Sequence, residues 1–279
     1  MMDWPTITAV VVACGVLLAT VHAVGELPEP QRHTFNCSAD GSRWPYLVQQ
    51  PADAVCAVLI NLHGHYSDHH QGMTEDIYGN HFGRLRRICR ERGWVYVCPW
   101  YGGNSWMGPV AESGMCDLLA VLREQWPGRP IYLSGGSMGG TSALIFAVRQ
   151  PDLIAGVVAR CPAADIESYY HFAVDSDSAT LQNIAAAIRI NYTMDGHDLA
   201  TELSERSALK HAEQLTMPVY LCHGARDKLI PVEATRALAA QLREQGRLVY
   251  YLELPEGDHD APVIQTEDWR QIMNFLEQA

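Results

Sequence analysis

The strongest constraint on the fold is a rhythm. Six short apolar runs recur along the chain: AVCAVLINLHG (54–64), WVYVCPW (94–100), PIYLSGG (130–136), LIAGVVARCP (153–162), MPVYLCHG (217–224) and RLVYYLELP (247–255). Helix-like stretches separate them, among them FGRLRRICRERG, GPVAESGMCDLLAVLREQW, MGGTSALIFAVRQ and VEATRALAAQLREQG, and DWRQIMNFLEQA closes the chain. A short run without polar alternation is a strand covered on both faces, and a β-α-β-α order makes the sheet parallel. The expected fold class is therefore α/β, a mostly parallel central sheet with helices on both faces. Ahead of the rhythm, RHTFNCSA and RWPYLVQQP flank Asp40-Gly41, a dipeptide suited to a hairpin turn. Residues 163–215 break the pattern and read as a small helical insertion, a lid or pocket wall on a single domain spanning 24–279.

The apolar stretch Ile7–Val21, followed by Val21-His22-Ala23 and a polar, proline-containing segment, predicts an export signal over residues 1–23, or an N-terminal anchor if it is retained. It is short for a membrane span, which takes roughly 20 apolar residues. Secretion or a periplasmic location is the expectation, with no stable membrane partner unless the anchor stays. The formal net charge of −12 argues against a nucleic-acid partner, since a phosphate backbone attracts clustered Lys and Arg. Beyond Cys14, the cysteines form no C-x-x-C pair, which leaves zinc-knuckle and thioredoxin-type chemistry without support.

The sharpest chemical motif is Gly135-Gly136-Ser137-Met138-Gly139, a G-x-S-x-G lying between an apolar run and a helical pattern. Small neighbours permit a tight strand-to-helix turn that lifts a serine hydroxyl clear of the sheet. Such a serine needs a base, and the base an orienting acid. Asp227 follows the run MPVYLCHG, and His259 follows the next one, in LELPEGDHDAP. Asp165, after an earlier run, is the competing acid.

In this order of Ser, Asp and His, each behind a successive strand, the chain from about Arg32 onward resembles an α/β-hydrolase, nearest the dienelactone hydrolase and prolyl-oligopeptidase-like esterase branch. The resemblance implies Ser137 as nucleophile, His259 as base and Asp227 as its orienting carboxylate. It also implies an oxyanion hole from the backbone N–H groups of His65, in NLHGHYS, and of Met138. Whether the Tyr66 hydroxyl adds a donor is open at this stage.

Four histidines and an aspartate crowd INLHGHYSDHH (60–70), which raises the question of a metal. The spacing matches no H-E-x-x-H pattern, and in the family a His-Gly of this kind is a structural residue, so the expectation is no metal and no cofactor. Tyr66, Trp100, Tyr101, Asn104, Trp106 and Tyr169 are the expected substrate contacts, because aromatic rings beside amides suit a sugar or an aromatic acyl group. The implied function is hydrolysis of a carboxylic ester, of a small molecule or an acylated carbohydrate, through an acyl-enzyme. A prolyl-oligopeptidase-like peptidase, an acyltransferase and a non-catalytic binding protein are the alternatives.

Overall fold

The computed structural model describes residues 27–75, 77–265 and 268–278, so the expected export signal at residues 1–23 lies outside the described part. Its strands are β1 (Gln31–Asn36), β2 (Arg43–Gln49), β3 (Ala57–Leu62), β4 (Trp94–Pro99), β5 (Ile131–Gly136), β6 (Gly156–Arg160), β7 (Val219–Gly224) and β8 (Val249–Leu254). They form one eight-stranded sheet in the order β1-β2-β4-β3-β5-β6-β7-β8. The expected hairpin is present, β1 running antiparallel to β2 and β2 antiparallel to β4, while every pairing from β4 to β8 is parallel.

The apolar runs are continuous because both faces of the sheet are covered, and alternate residues go to opposite layers. On β3, Val58, Ile60 and Leu62 join the larger core, while Ala57 and Leu59 join the smaller one. The larger core holds helices α2 (Pro109–Gln125) and α3 (Met138–Arg149), with α7 (Glu233–Glu244) contributing Leu238, Ala239 and Leu242. The smaller holds α1 (His81–Glu91) and α9 (Trp269–Leu276), through Leu85, Cys89, Ile272 and Met273. Among the described residues no helix is long and apolar enough to cross a membrane.

Between β6 and β7 the chain folds into α4 (Ile166–Val174), α5 (Ala179–Tyr192) and α6 (Leu199–Glu205), the helical insertion read from the break in rhythm. A short α8 (Ala261–Ile264), not anticipated from sequence, follows β8. The chain reverses its direction of travel across the sheet between β3 and β5, since β4 lies on one side of β3 and β5 to β8 on the other. In open α/β sheets ligands bind at such a switch point, beyond the strand carboxyl ends. His65, Ser137, Cys161, Asp227 and His259 all lie in segments leaving that edge.

Candidate active site

Ser137 is the hinge between β5 and α3. Its backbone sits at φ 57 and ψ −125, outside the helical and extended regions, and its N–H donates to Arg160 O at 2.9 Å. A strained non-glycine residue of this kind costs about 1–3 kcal/mol and persists only where its surroundings hold it. The flanking glycines are sterically required. A Cβ on Gly135 would stand 2.3 Å from the Gly139 carbonyl carbon, and one on Gly139 would stand 2.2 Å from Leu62 O. The motif thus encodes close backbone packing as much as a turn.

The Ser137 hydroxyl lies 2.9 Å from His259 Nε2, and His259 Nδ1 lies 2.7 Å from Asp227 Oδ2. The carboxylate can only accept, so Nδ1 carries the proton and the Nε2 lone pair faces the serine. Asp227 Oδ1 accepts the N–H groups of Leu229 and Ile230 at 2.8 and 2.9 Å. The Asp227 side chain is fully buried. Burial pushes its pKa up, but hydrogen bonds from His223 and His259, the nearby His259 charge and the Ile230 amide outweigh burial and hold the carboxyl well below the usual range. The competing acid is committed elsewhere. Asp165 caps α4 through Glu167 and Ser168 N–H and accepts the Ser207 hydroxyl.

Met138 N–H opens α3, where no carbonyl one turn earlier can take it, and the helix dipole there favours negative charge. On the facing loop, Gly64 N–H donates to Gln71 Oε1 at 2.8 Å and Tyr66 N–H to Asn104 Oδ1 at 2.8 Å. Between those two committed amides, the His65 N–H has no protein acceptor among the described residues. The His65 ring is fixed as well: Trp106 Nε1–H donates to its Nδ1 at 3.2 Å, which leaves Nε2–H to donate to Asn183 Oδ1 at 3.0 Å. Burial lowers its pKa, so the ring is neutral and bridges the loop to helix α5 of the insertion.

A cavity of about 180 Å³ opens over Ser137 and His259. Its lining includes His65, Tyr66, Ile184, His81, Arg160 and Asp260. Of the expected substrate contacts, Tyr66 alone lines this space; Trp100, Tyr101, Asn104, Trp106 and Tyr169 do not. Asn104 and Trp106 stand behind residues that do. Tyr101 is buried and its hydroxyl donates to His63 O at 2.6 Å, Trp106 holds His65, Asn104 holds Tyr66 N–H, Tyr169 packs on Trp106, and Trp100 packs edge-on against Trp44. The reason is conformational. Trp106 and Met107 both have positive φ, 47 and 54, and this reversal turns their side chains into the core. Arg160, His81 and Cys161 line the cavity instead, and they went unnoticed because each sits inside an ordinary-looking apolar or helical pattern.

The histidines of INLHGHYSDHH take separate roles, although His69 and His70 stay side by side with ring centroids 4.0 Å apart. His63 is buried with Nδ1 on Gly64 O, and burial lowers its pKa to about 4. His69 is buried and His70 exposed, the latter hydrogen-bonded to Asp68. Asp68, His69 and His70 could bring three ligand atoms together, as could Cys161, Asp227 and His259, but the second set is already joined to Ser137 by proton-bearing hydrogen bonds.

Solved structures share this architecture. Acylaminoacyl peptidase from Pyrococcus horikoshii superposes with a TM-score of 0.68 at 16% identity, over 90% of this chain and 41% of that one. Est1E from Butyrivibrio proteoclasticus gives 0.65 at 17% identity over 89% and 99%, and the esterase Pf2001 from Pyrococcus furiosus 0.64 at 16% over 90% and 92%. The chain thus spans about two fifths of the length of the acylaminoacyl peptidase and nearly all of the two esterases. Identities this low carry the α/β-hydrolase fold alone. A search of the curated proteins finds no match. The model of the prolyl oligopeptidase family matches residues 123–279, more than half of the chain and the part that holds Ser137, Asp227 and His259. By that match the chain belongs to the prolyl oligopeptidase family.

Proposed function

We propose that the protein hydrolyses carboxylic esters through an acyl-enzyme on Ser137. The observation that carries this reading is the unbroken chain from Asp227 through His259 to a serine hydroxyl at the floor of an open cavity. His259 Nε2 takes the hydroxyl proton as Oγ attacks the acyl carbon. The new oxyanion lies against the N–H groups of His65 and Met138, and each such donor is worth about 2.7–4 kcal/mol in the transition state. His259 then passes its proton to the leaving alcohol, and water, activated by the same nitrogen, releases the acid. Tyr66, exposed and on the cavity rim, is placed to meet either the oxyanion or the leaving group.

A small ester suits a cavity of this size, and two of the similar structures of comparable length are esterases. An acylated carbohydrate remains within the proposal, as does export through the apolar segment at residues 1–23. A peptidase reading is favoured by the likeness to the acylaminoacyl peptidase and by the family itself. The test is a matched panel: p-nitrophenyl esters of rising acyl length against acylaminoacyl p-nitroanilides, with fluorophosphonate labelling of Ser137 in parallel. Turnover of the esters at least a hundredfold faster supports the esterase. Faster cleavage of the anilides overturns it in favour of the peptidase, and an unlabelled serine overturns both.

A further inference from the structure

The Asp227 carboxylate has a second histidine. His223, on β7, is fully buried, and its Nε2 lies 3.2 Å from Asp227 Oδ2 and 3.0 Å from Ile230 O. Both are acceptors, so Nε2 carries a proton shared between them. Its Nδ1 lies 2.9 Å from Thr235 Oγ1, whose hydroxyl is in turn 3.2 Å from Pro162 O. If the hydroxyl points at Nδ1, His223 is neutral. If it points at Pro162, both ring nitrogens carry protons. In either case the Nε2 proton is shared between Asp227 Oδ2 and Ile230 O.

We infer that His223 is a positioning residue for the reaction, holding Asp227 from the side opposite His259 and sharing its negative charge between two imidazoles. The inference rests on reading Asp227 and His259 as the catalytic acid and base. Four donors converge on one carboxylate: His259 and His223 on Oδ2, and the Leu229 and Ile230 amides on Oδ1. A carboxylate so filled has one orientation, and it directs the remaining lone pair of Oδ2 at His259 Nδ1–H. The arrangement also limits basicity. With the His223 donor gone, more negative charge faces His259, its protonated form is favoured, and the base becomes available only at higher pH. The other titratable groups facing Asp227 are Cys161, after β6, and Tyr169, on α4. Burial pushes both pKa values up, so neither adds a negative charge beside Asp227 through the working range.

The experiment compares pH profiles of kcat and kcat/KM for wild type, His223→Phe and His223→Gln on one p-nitrophenyl ester. In His223→Phe, kcat is expected to fall about tenfold, the scale of one hydrogen bond to a charged group, while KM stays within about twofold. The acid limb of kcat/KM should move upward by about half a pH unit or more. His223→Gln can still present a side-chain N–H and should recover much of both. Lower stability with an unmoved pH profile would make His223 a packing residue and overturn the inference. Wild-type protein supplies an arm that needs no variant: with 15N-labelled histidine, His223 Nε2 should read as protonated at neutral pH, and an unprotonated Nε2 would also overturn it. Fluorophosphonate labelling of the wild type separates the two levels. An unlabelled Ser137 sinks the catalytic reading itself, whereas normal labelling with an unshifted His223→Phe profile sinks only the role of His223.

Discussion

Two clusters of buried charge, one around Asp227 and one around Arg206, behave differently. Arg206 lies just after α6, and its side chain is 2% exposed. Arg206 Nε donates to Glu202 at 2.8 Å, and one terminal nitrogen donates to Glu112 at 2.7 Å and to Met107 O at 2.9 Å. Glu112 also accepts from Gln150 and faces Arg149. Burial pushes the Glu112 pKa up, but Arg206, Gln150 and Arg149 more than reverse it. The carboxylates of this cluster are all paired, with Arg206, Gln150 and His197, and none of its members lines the cavity over Ser137. The Asp227 cluster is as well satisfied at its inner end, but its outer end is a serine hydroxyl facing a cavity. Buried charge set away from that hydroxyl fixes geometry, and buried charge linked to it can do chemistry.

The largest expected effect is at that hydroxyl. Ser137→Ala should lower kcat on a p-nitrophenyl ester by a factor on the order of 10⁶ with little change in thermal stability, because the variant removes a hydroxyl and leaves the hydrogen bonds of Asp227 intact. Retained turnover would remove Ser137 from the mechanism. Asp227→Asn should cost a factor on the order of 10⁴, by favouring the wrong His259 tautomer, and the loss should appear in kcat. In the Arg206 cluster the damage is to stability. Arg206→Ala takes the shared cation from two buried carboxylates, leaving Glu112 with Gln150 and Arg149 and Glu202 with His197, and should destabilise by about 3 kcal/mol in urea denaturation. Replacing Arg206, Glu112 and Glu202 together by Met, Leu and Leu should cost far less, since no charge is then stranded. If the single and triple variants were equally unstable, the cluster would be holding shape through packing alone.

Acid tests stability in a different way. His63 and His81 are both buried, and burial depresses both pKa values, that of His63 to about 4. The unfolded chain binds these protons near pH 6.5, before the folded one does. Stability is therefore complete above about pH 6.5 and is lost as pH falls toward the folded values, by on the order of 2 kcal/mol for His63 at pH 4.5. Asp227 and Glu112 add the same sign of dependence at lower pH, being depressed carboxyls. Urea midpoints at pH 7 and pH 5 should differ, and His63→Gln should narrow the gap. An unchanged gap would place the titration elsewhere. The smallest expected effect is at Trp106→Phe, which frees His65 Nδ1 without touching its amide. Activity should fall by about tenfold or less, and chelators should have no effect on turnover in either protein.

Much of the sheet was legible in the sequence because a doubly covered strand is built mostly of apolar residues. AVCAVLINLHG and PIYLSGG read as buried strands; that β3 and β5 pair, with Asn61 opposite Ser134 and Leu62 opposite Gly135, came from the structure. The G-x-S-x-G motif was legible for a related reason. Its glycines answer a steric demand that acts over a few residues. The aromatic loop after β4 was the failure. Its composition pointed to a ligand, whereas its backbone, with positive φ at two successive residues, turns the rings into the core.

The sequence by itself determined the α/β architecture, the hairpin at its edge, the insertion, and which serine, aspartate and histidine would come to the same edge of the sheet. Those follow from periodicity and chain order, which are local or topological. Only the tertiary structure decided that His223 reaches Asp227, that Arg160 and His81 line the cavity, and that Trp106 holds His65 from behind. Each of these depends on the direction of a side chain leaving a strand end or a loop, set by a few backbone angles and by contacts between segments far apart in sequence. No pattern of residue types along the chain records those angles.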